Sequence, residues 1–125
     1  MKAHPNTAFA LIIEPETLPL IVLNAELAAC KITKDSYYKN VPYALSKLNL
    51  PNVIMYLDVG HGGQLGWKEN QKPGASVVAA VWEAAGKPKQ LRGFATNVAN
   101  YNSWWVTHLF QKADVHGLYH WRQAN

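Results

Sequence analysis

Sulfur chemistry is almost absent from this sequence. Its 125 residues include one cysteine, Cys30, so an internal disulfide and a disulfide-stapled scaffold are both excluded. Cys30 also lacks a CxxC or helix-start context, which argues against a catalytic thiol. Long apolar runs are missing too: no stretch approaches the ~18 apolar residues of a membrane span. The opening "MKAHPNTAFALIIEPE" does not read as a secretory leader. Its apolar run is short, is broken by Glu14-Pro15-Glu16 and lacks a small-residue cleavage site. Charge of one sign is nowhere concentrated. The net charge is +4, yet Lys31, Lys34, Lys39, Lys47, Lys68, Lys72, Lys87, Lys89 and Arg92 are scattered and form no stripe. The expectation is therefore no nucleic-acid partner and no membrane. There is no internal repeat and no low-complexity segment. His116 and His120 sit four apart without an HExxH pattern, and read as incidental.

What is present suits one small globular domain. Hydrophobic residues make up 49% and charged residues 16%, a balance that excludes disorder, and the length allows little more than one core. Five Trp and six Tyr fit either a packed core or a surface that stacks on planar or ring-shaped ligands. The run "FALIIE" (9–14) reads as a strand buried on both faces. "PETLPLIVLNAELAACK" (15–31) reads as a helix with acidic residues at its start and Pro19 in its first turn. "KDSYYKNVPYALSKLNL" (34–50) reads as an amphipathic helix with Tyr37, Val41, Ala44, Leu45 and Leu48 on one face, although Pro42 is awkward there. "NVIMYLD" (52–58) is a second buried strand. "GASVVAAVWEAAGK" (74–87) is a helix with Gly86 in the C-terminal position, and "LRGFATN" (91–97) is a third, shorter strand. Alternation of this kind predicts an α/β fold of parallel strands joined by crossover helices. Ligands then bind at the C-terminal ends of the strands. Those ends carry Glu14 and Glu16, then Asp58 and His61, then Asn97 and Asn100.

Each of these has a functional and a structural reading. A carboxyl such as Glu16 directly after a buried strand is partly desolvated, which favours the protonated form a general acid needs; alternatively Glu16 is only a helix-start acid stabilised by the dipole. In "YLDVGHGGQLGW" (56–67), glycines let the backbone approach a ligand, but neither a G-x-G-x-x-G spacing nor a P-loop lysine is present. Asp58 and His61 could ligate a metal, but lack a third ligand; either could instead bind sugar hydroxyls. Trp67 could stack on a pyranose ring or simply pack in the core. In "ATNVANYNSWW" (95–105), Asn97, Asn100 and Asn102 suit carbohydrate recognition, and equally suit Asx turns.

Taken together, "LIIEPETL", "ALSKLNLPNVIMYLDVGHGGQLGW" and "LRGFATNVANYNSW" resemble, in order and spacing, the catalytic domain of glycoside hydrolase family 6, the cellobiohydrolases and endoglucanases. The motifs fall between about residues 7 and 104, so residues 1–104 are expected to be a partial catalytic domain and 105–125 a divergent tail. The resemblance implies a distorted, incomplete α/β barrel of parallel strands, here truncated at both ends. It also implies a β-1,4-glucan substrate such as cellulose or a cello-oligosaccharide, no cofactor, no metal, a monomer, and secretion of the parent enzyme. Cleavage would invert the anomeric centre, a carboxylic acid protonating the leaving oxygen while water attacks the opposite face.

Residue by residue, the resemblance places the general acid at Glu16, where the family's I-E-P-D reads I-E-P-E. The extra methylene would displace the carboxyl by about 1 Å, and misplacement on that scale can cost ~100-fold in rate. His61 and Asn100 match sugar-binding positions, and Trp67 matches an outer stacking platform. Gln64 stands where the family's first stacking tryptophan is usual, which would weaken a product-side subsite. Asp58 matches the strand-end aspartate beneath the site. The family's upstream aspartate would precede residue 1, and its candidate base and later lysine would follow the similar region. Cys30 matches a cysteine that the family pairs with one in that upstream segment. The expectation is a fragment of low or no activity; the alternative is a non-catalytic remnant that still binds glucan.

Overall fold

The structure is a computed structural model that describes residues 1–100; Asn102, Trp104, the expected tail at 105–125 and its His116 and His120 lie outside the described residues. In chain order the elements are β1 (Phe9–Ile13), α1 (Thr17–Leu23), α2 (Ala28–Lys47), β2 (Val53–Asp58), α3 (Lys68–Ala84) and β3 (Leu91–Ala95). The strands form one sheet in the order β1-β2-β3. Both pairings are parallel, with Phe9 to Ile13 opposite Val53 to Leu57. The ladder between β2 and β3 slips once, between Met55 and Tyr56. The expected α/β architecture of parallel strands and crossover helices is thus what the chain adopts.

Side-chain alternation along β2 sets the core. Val53, Met55 and Leu57 point one way and are buried with Leu18 and Ile21 of α1, Val41 and Leu45 of α2, and Val81 of α3. The other face is open: Ile54 is 37% exposed and Ile12 46%. This corrects the expectation that the first strand is buried on both faces. β1 alternates between half-buried and exposed residues, because the helices cover a single face of the sheet.

The helices begin and end differently from the sequence expectation. The apolar run after Pro15 does not continue to residue 31. It stops at Leu23, the chain turns through Asn24, whose carbonyl accepts from the Leu27 N–H at 2.9 Å, and a new helix starts at Ala28. α2 therefore absorbs the end of one expected helix and most of the next, ending at Lys47. Val41 and Leu45 are buried as their spacing requires, and Pro42 is buried within the helix, where it removes the N–H that would have bonded to Tyr38. α3 begins six residues early, at Lys68, and contains Pro73. Its end is as expected. Gly86 has φ 77, its N–H reaches Glu83 O at 2.9 Å, and the Lys87 N–H reaches Trp82 O at 3.0 Å. This is a Schellman closure, which needs the left-handed glycine.

The N-terminal residues are tied down by one side chain. Asn52 Nδ2 donates towards Met1 O at 3.4 Å, His4 O at 3.0 Å and Thr7 O at 2.9 Å. Asn52→Ala is expected to lower unfolding stability by about 1 kcal/mol, read from the urea midpoint, and to speed amide exchange before Phe9.

Candidate active site

The C-terminal ends of β1 and β2 meet over one carboxylate. β1 runs into the turn Glu14-Pro15-Glu16, in which Glu14 (φ 53) and Glu16 (φ 63) are both left-handed. Such backbone costs a non-glycine residue about 1–2 kcal/mol. Glu16 is the residue before α1, where the sequence placed a helix-start acid, but its side chain makes no capping bond. Its carboxyl turns instead to the loop after β2, where Oε1 lies 3.5 Å from His61 Nε2. Both side chains are mostly enclosed, at 23% and 15% exposure.

The histidine is held by its own loop. The Gly63 N–H donates to His61 Nδ1 at 3.1 Å. That nitrogen is thereby the accepting one, and Nε2 is the ring nitrogen that faces Glu16. A Cβ on Gly63 would stand 2.8 Å from His61 Cε1 and push the ring from its place. Gln64 braces the turn from below: its Oε1 accepts from the His61 N–H at 3.2 Å, and its own N–H donates to His61 O at 2.9 Å. Trp67 Nε1 donates back to Gly63 O at 3.1 Å, leaving the indole 40% exposed.

Asp58 closes the arrangement. It is fully buried, and Oδ1 accepts from the Glu16 N–H and from the Gly60 N–H, each at 2.8 Å. The third strand joins on the other side, where Val59 N–H donates to Ala95 O and Asn97 N–H to Gly60 O, both at 2.9 Å.

The structure thus brings Glu16, His61 and Asp58 together at one rim and lays the residues after β3 against it. Asn100, three residues beyond Asn97, is exposed. Trp67 presents an open ring face. Two residues expected to touch ligand are placed otherwise. Gln64 is 4% exposed and Asp58 fully buried, so both support the rim from within. Gln64 is inside because its amide replaces loop backbone partners, and Asp58 because the Glu14–Glu16 turn folds over it. The sequence reading missed Asn70, whose Nδ2 donates to Gln64 O at 2.9 Å and pins the loop to the first turn of α3; an amide three residues into a helix gave no distinctive signal. Cys30 is a free thiol on α2. Among the described residues no three His, Cys, Asp or Glu side chains are grouped to hold a metal ion, and no helix is long and apolar enough to cross a membrane.

Comparison with known proteins gives the family. The model for glycosyl hydrolases family 6 matches residues 1–120, and the chain belongs to that family. It is 57% identical over 104 residues to the 1,4-beta-D-glucan cellobiohydrolase CEL6C of Podospora anserina, which covers 83% of this chain and 26% of that protein. Among solved structures it is similar to cellobiohydrolase II (Cel6A) from Humicola insolens in complex with glucose and cellotetraose. There the TM-score is 0.80 at 43% identity, over 85% of this chain and 29% of that one. Endoglucanase Cel6B from Humicola insolens also matches, with a TM-score of 0.80 at 32% identity, over 90% of this chain and 33% of that one. The chain thus spans between a quarter and a third of the length of these relatives.

Proposed function

We propose that this chain carries part of the active site of an inverting glucanase acting on β-1,4-linked glucan, with Glu16 as the proton donor to the leaving oxygen. The observation that carries the reading is the Glu16–His61 pair, enclosed at the ends of two adjacent parallel strands. A carboxyl at the strand ends is placed to donate to the glycosidic oxygen, and the imidazole beside it to contact a sugar hydroxyl. Trp67 offers a ring face on which a pyranose can stack. Asn100, on the segment after β3, adds a donor and acceptor for glucose hydroxyls. The protein in which this site works is proposed to be secreted and monomeric.

The same geometry argues that the 125-residue chain alone binds glucan better than it cuts it. Inversion needs a second carboxylate about 6.5–9.5 Å from the acid to activate water. Asp58 does not serve, because it is buried and its Oδ1 is committed to two backbone amides. The pure chain is therefore expected to release little or no cellobiose from a soluble glucan. Release that Glu16→Gln abolishes would overturn this expectation. In a calorimetric titration with cellotetraose, His61→Ala is expected to weaken binding roughly tenfold, the worth of about one hydrogen bond. Equal affinities would remove His61 from the site.

A further inference from the structure

Asp58 is an expensive residue to bury. Its carboxyl is fully enclosed, and Oδ2 has no hydrogen-bond partner among the described residues. An enclosed carboxylate with an unsatisfied oxygen is destabilising relative to an apolar side chain of similar size. Its other oxygen, however, is committed. Oδ1 joins the main chain at Glu16, 42 residues away in sequence, to the main chain at Gly60. The amide that it grips belongs to a left-handed glutamate, in a turn with a second left-handed glutamate. Strain of this sort persists only where surrounding structure over-determines it.

We propose that Asp58 is a positioning residue: its Oδ1 holds the backbone of Glu16 in the left-handed conformation, and so aims the Glu16 carboxyl at His61. This rests on the reading of Glu16 and His61 as the glucan site, and it names what keeps that site in register. Because the grip is on main chain, it fixes Cα of residue 16 whatever the side chain there. The reach of the carboxyl beyond Cα is then set by side-chain length alone, which lets a glutamate occupy the position without disturbing the turn. Asp58 needs no contact with ligand to do this.

The test uses nuclear magnetic resonance on the full chain and two variants. Asp58→Leu keeps the branched shape, in a larger side chain, but removes the acceptor; Asp58→Asn keeps an oxygen that can accept from both amides. In the unaltered chain the Glu16 amide is expected to exchange slowly, although it lies in a half-exposed turn. In Asp58→Asn the Glu16 amide and the His61 ring signals are expected to stay near those of the parent. In Asp58→Leu the Glu16 amide is expected to lose its protection, and the His61 ring signals to move to the values seen in Glu16→Ala. Asp58→Leu leaves the Glu16 and Gly60 N–H groups without their acceptor, so its unfolding midpoint is expected to fall, and rescue of the Glu16 and His61 signals by Asp58→Asn is what separates positioning from a merely structural role.

Cellotetraose affinity in Asp58→Leu is expected to fall roughly tenfold, matching loss of about one hydrogen bond. Unchanged Glu16 and His61 signals in Asp58→Leu would overturn the proposal, as would signals in Asp58→Asn displaced as far as those of the leucine variant. If Asp58→Leu does not fold, the decision passes to the unaltered chain and Asp58→Asn: rapid exchange of the Glu16 amide in either overturns the clamp. The two readings separate cleanly. Protected Glu16 and rescue by asparagine without any cellotetraose binding would retain the clamp and end the glucan reading. Binding by the parent with His61 signals indifferent to Asp58→Leu would do the reverse.

Discussion

Replacing Gly60 by alanine is expected to cost roughly 2–5 kcal/mol of unfolding stability and to abolish detectable binding of cello-oligosaccharides. Two terms add. Gly60 has φ 74, and alanine in left-handed backbone costs about 1–2 kcal/mol. A Cβ there would also collide with Gln64 Oε1 and stand 2.9 Å from Pro19 Cγ, and overpacking on that scale costs about 1–3 kcal/mol. Gln64 could swing away, but it would then release the His61 N–H that its Oε1 accepts. Pro19 is buried in the first turn of α1 and has nowhere to go. The relief of one clash therefore loosens the histidine, and the relief of the other tilts the helix that follows Glu16. Gly86→Ala is the control. Gly86 is equally left-handed, at φ 77, but a Cβ there meets nothing within 4 Å, so its cost is expected to stop at about 1–2 kcal/mol. Urea midpoints for the two variants isolate the steric part. Equal losses would mean that the loop does not pack on Pro19 as the structure shows.

The contrast between these two glycines shows how far the sequence could be read. Gly86 announces itself, because a glycine after an apolar-periodic run is a helix stop with a known geometry. The role of Gly60 depends on Pro19, forty-one residues away, and such a contact leaves no local trace. The strands follow the same rule. Alternation of apolar runs with helical stretches is local, and it led to the right order of elements and to parallel pairing. Helix boundaries went astray where a local cue was overruled. The helix expected over 74–87 begins at Lys68 and forms through Pro73. The run after Pro15 looked continuous, yet it breaks at Asn24.

The site divides in the same way. Glu16 and His61 were legible because each stands just past a strand, and parallel strands finish together. The inward turn of Asp58 was not. By alternation Asp58 shares the face of Ile54 and Tyr56, which is open along most of the sheet, and a rim carboxylate on an open face reads as a ligand contact. It is buried only because the Glu14–Glu16 turn, displaced into left-handed backbone, folds across it. The bracing role of Gln64 was hidden for a similar reason. A polar residue where a stacking ring is usual suggested a weakened platform, whereas the amide is drawn inside by the His61 N–H.

Leu45→Ala is expected to lower stability by about 2–5 kcal/mol, the range for emptying a fully buried leucine site. Leu45 is 0% exposed and belongs to α2, the longest helix, in the same buried cluster as Val53 and Met55. The companion variant is Ile12→Ala. It removes a side chain of the same volume from the opposite face of the sheet, where Ile12 is 46% exposed, and its cost is expected to stay within about 0.5 kcal/mol. The difference between them measures how one-sided the core is. If Ile12→Ala costs as much as Leu45→Ala, the open face is covered in solution. A loss that grows with protein concentration would identify the cover as a second copy of the chain. If the loss is independent of concentration, the cover is part of the chain itself. In either case the sheet would be a two-sided layer, contrary to the alternation seen along β1 and β2.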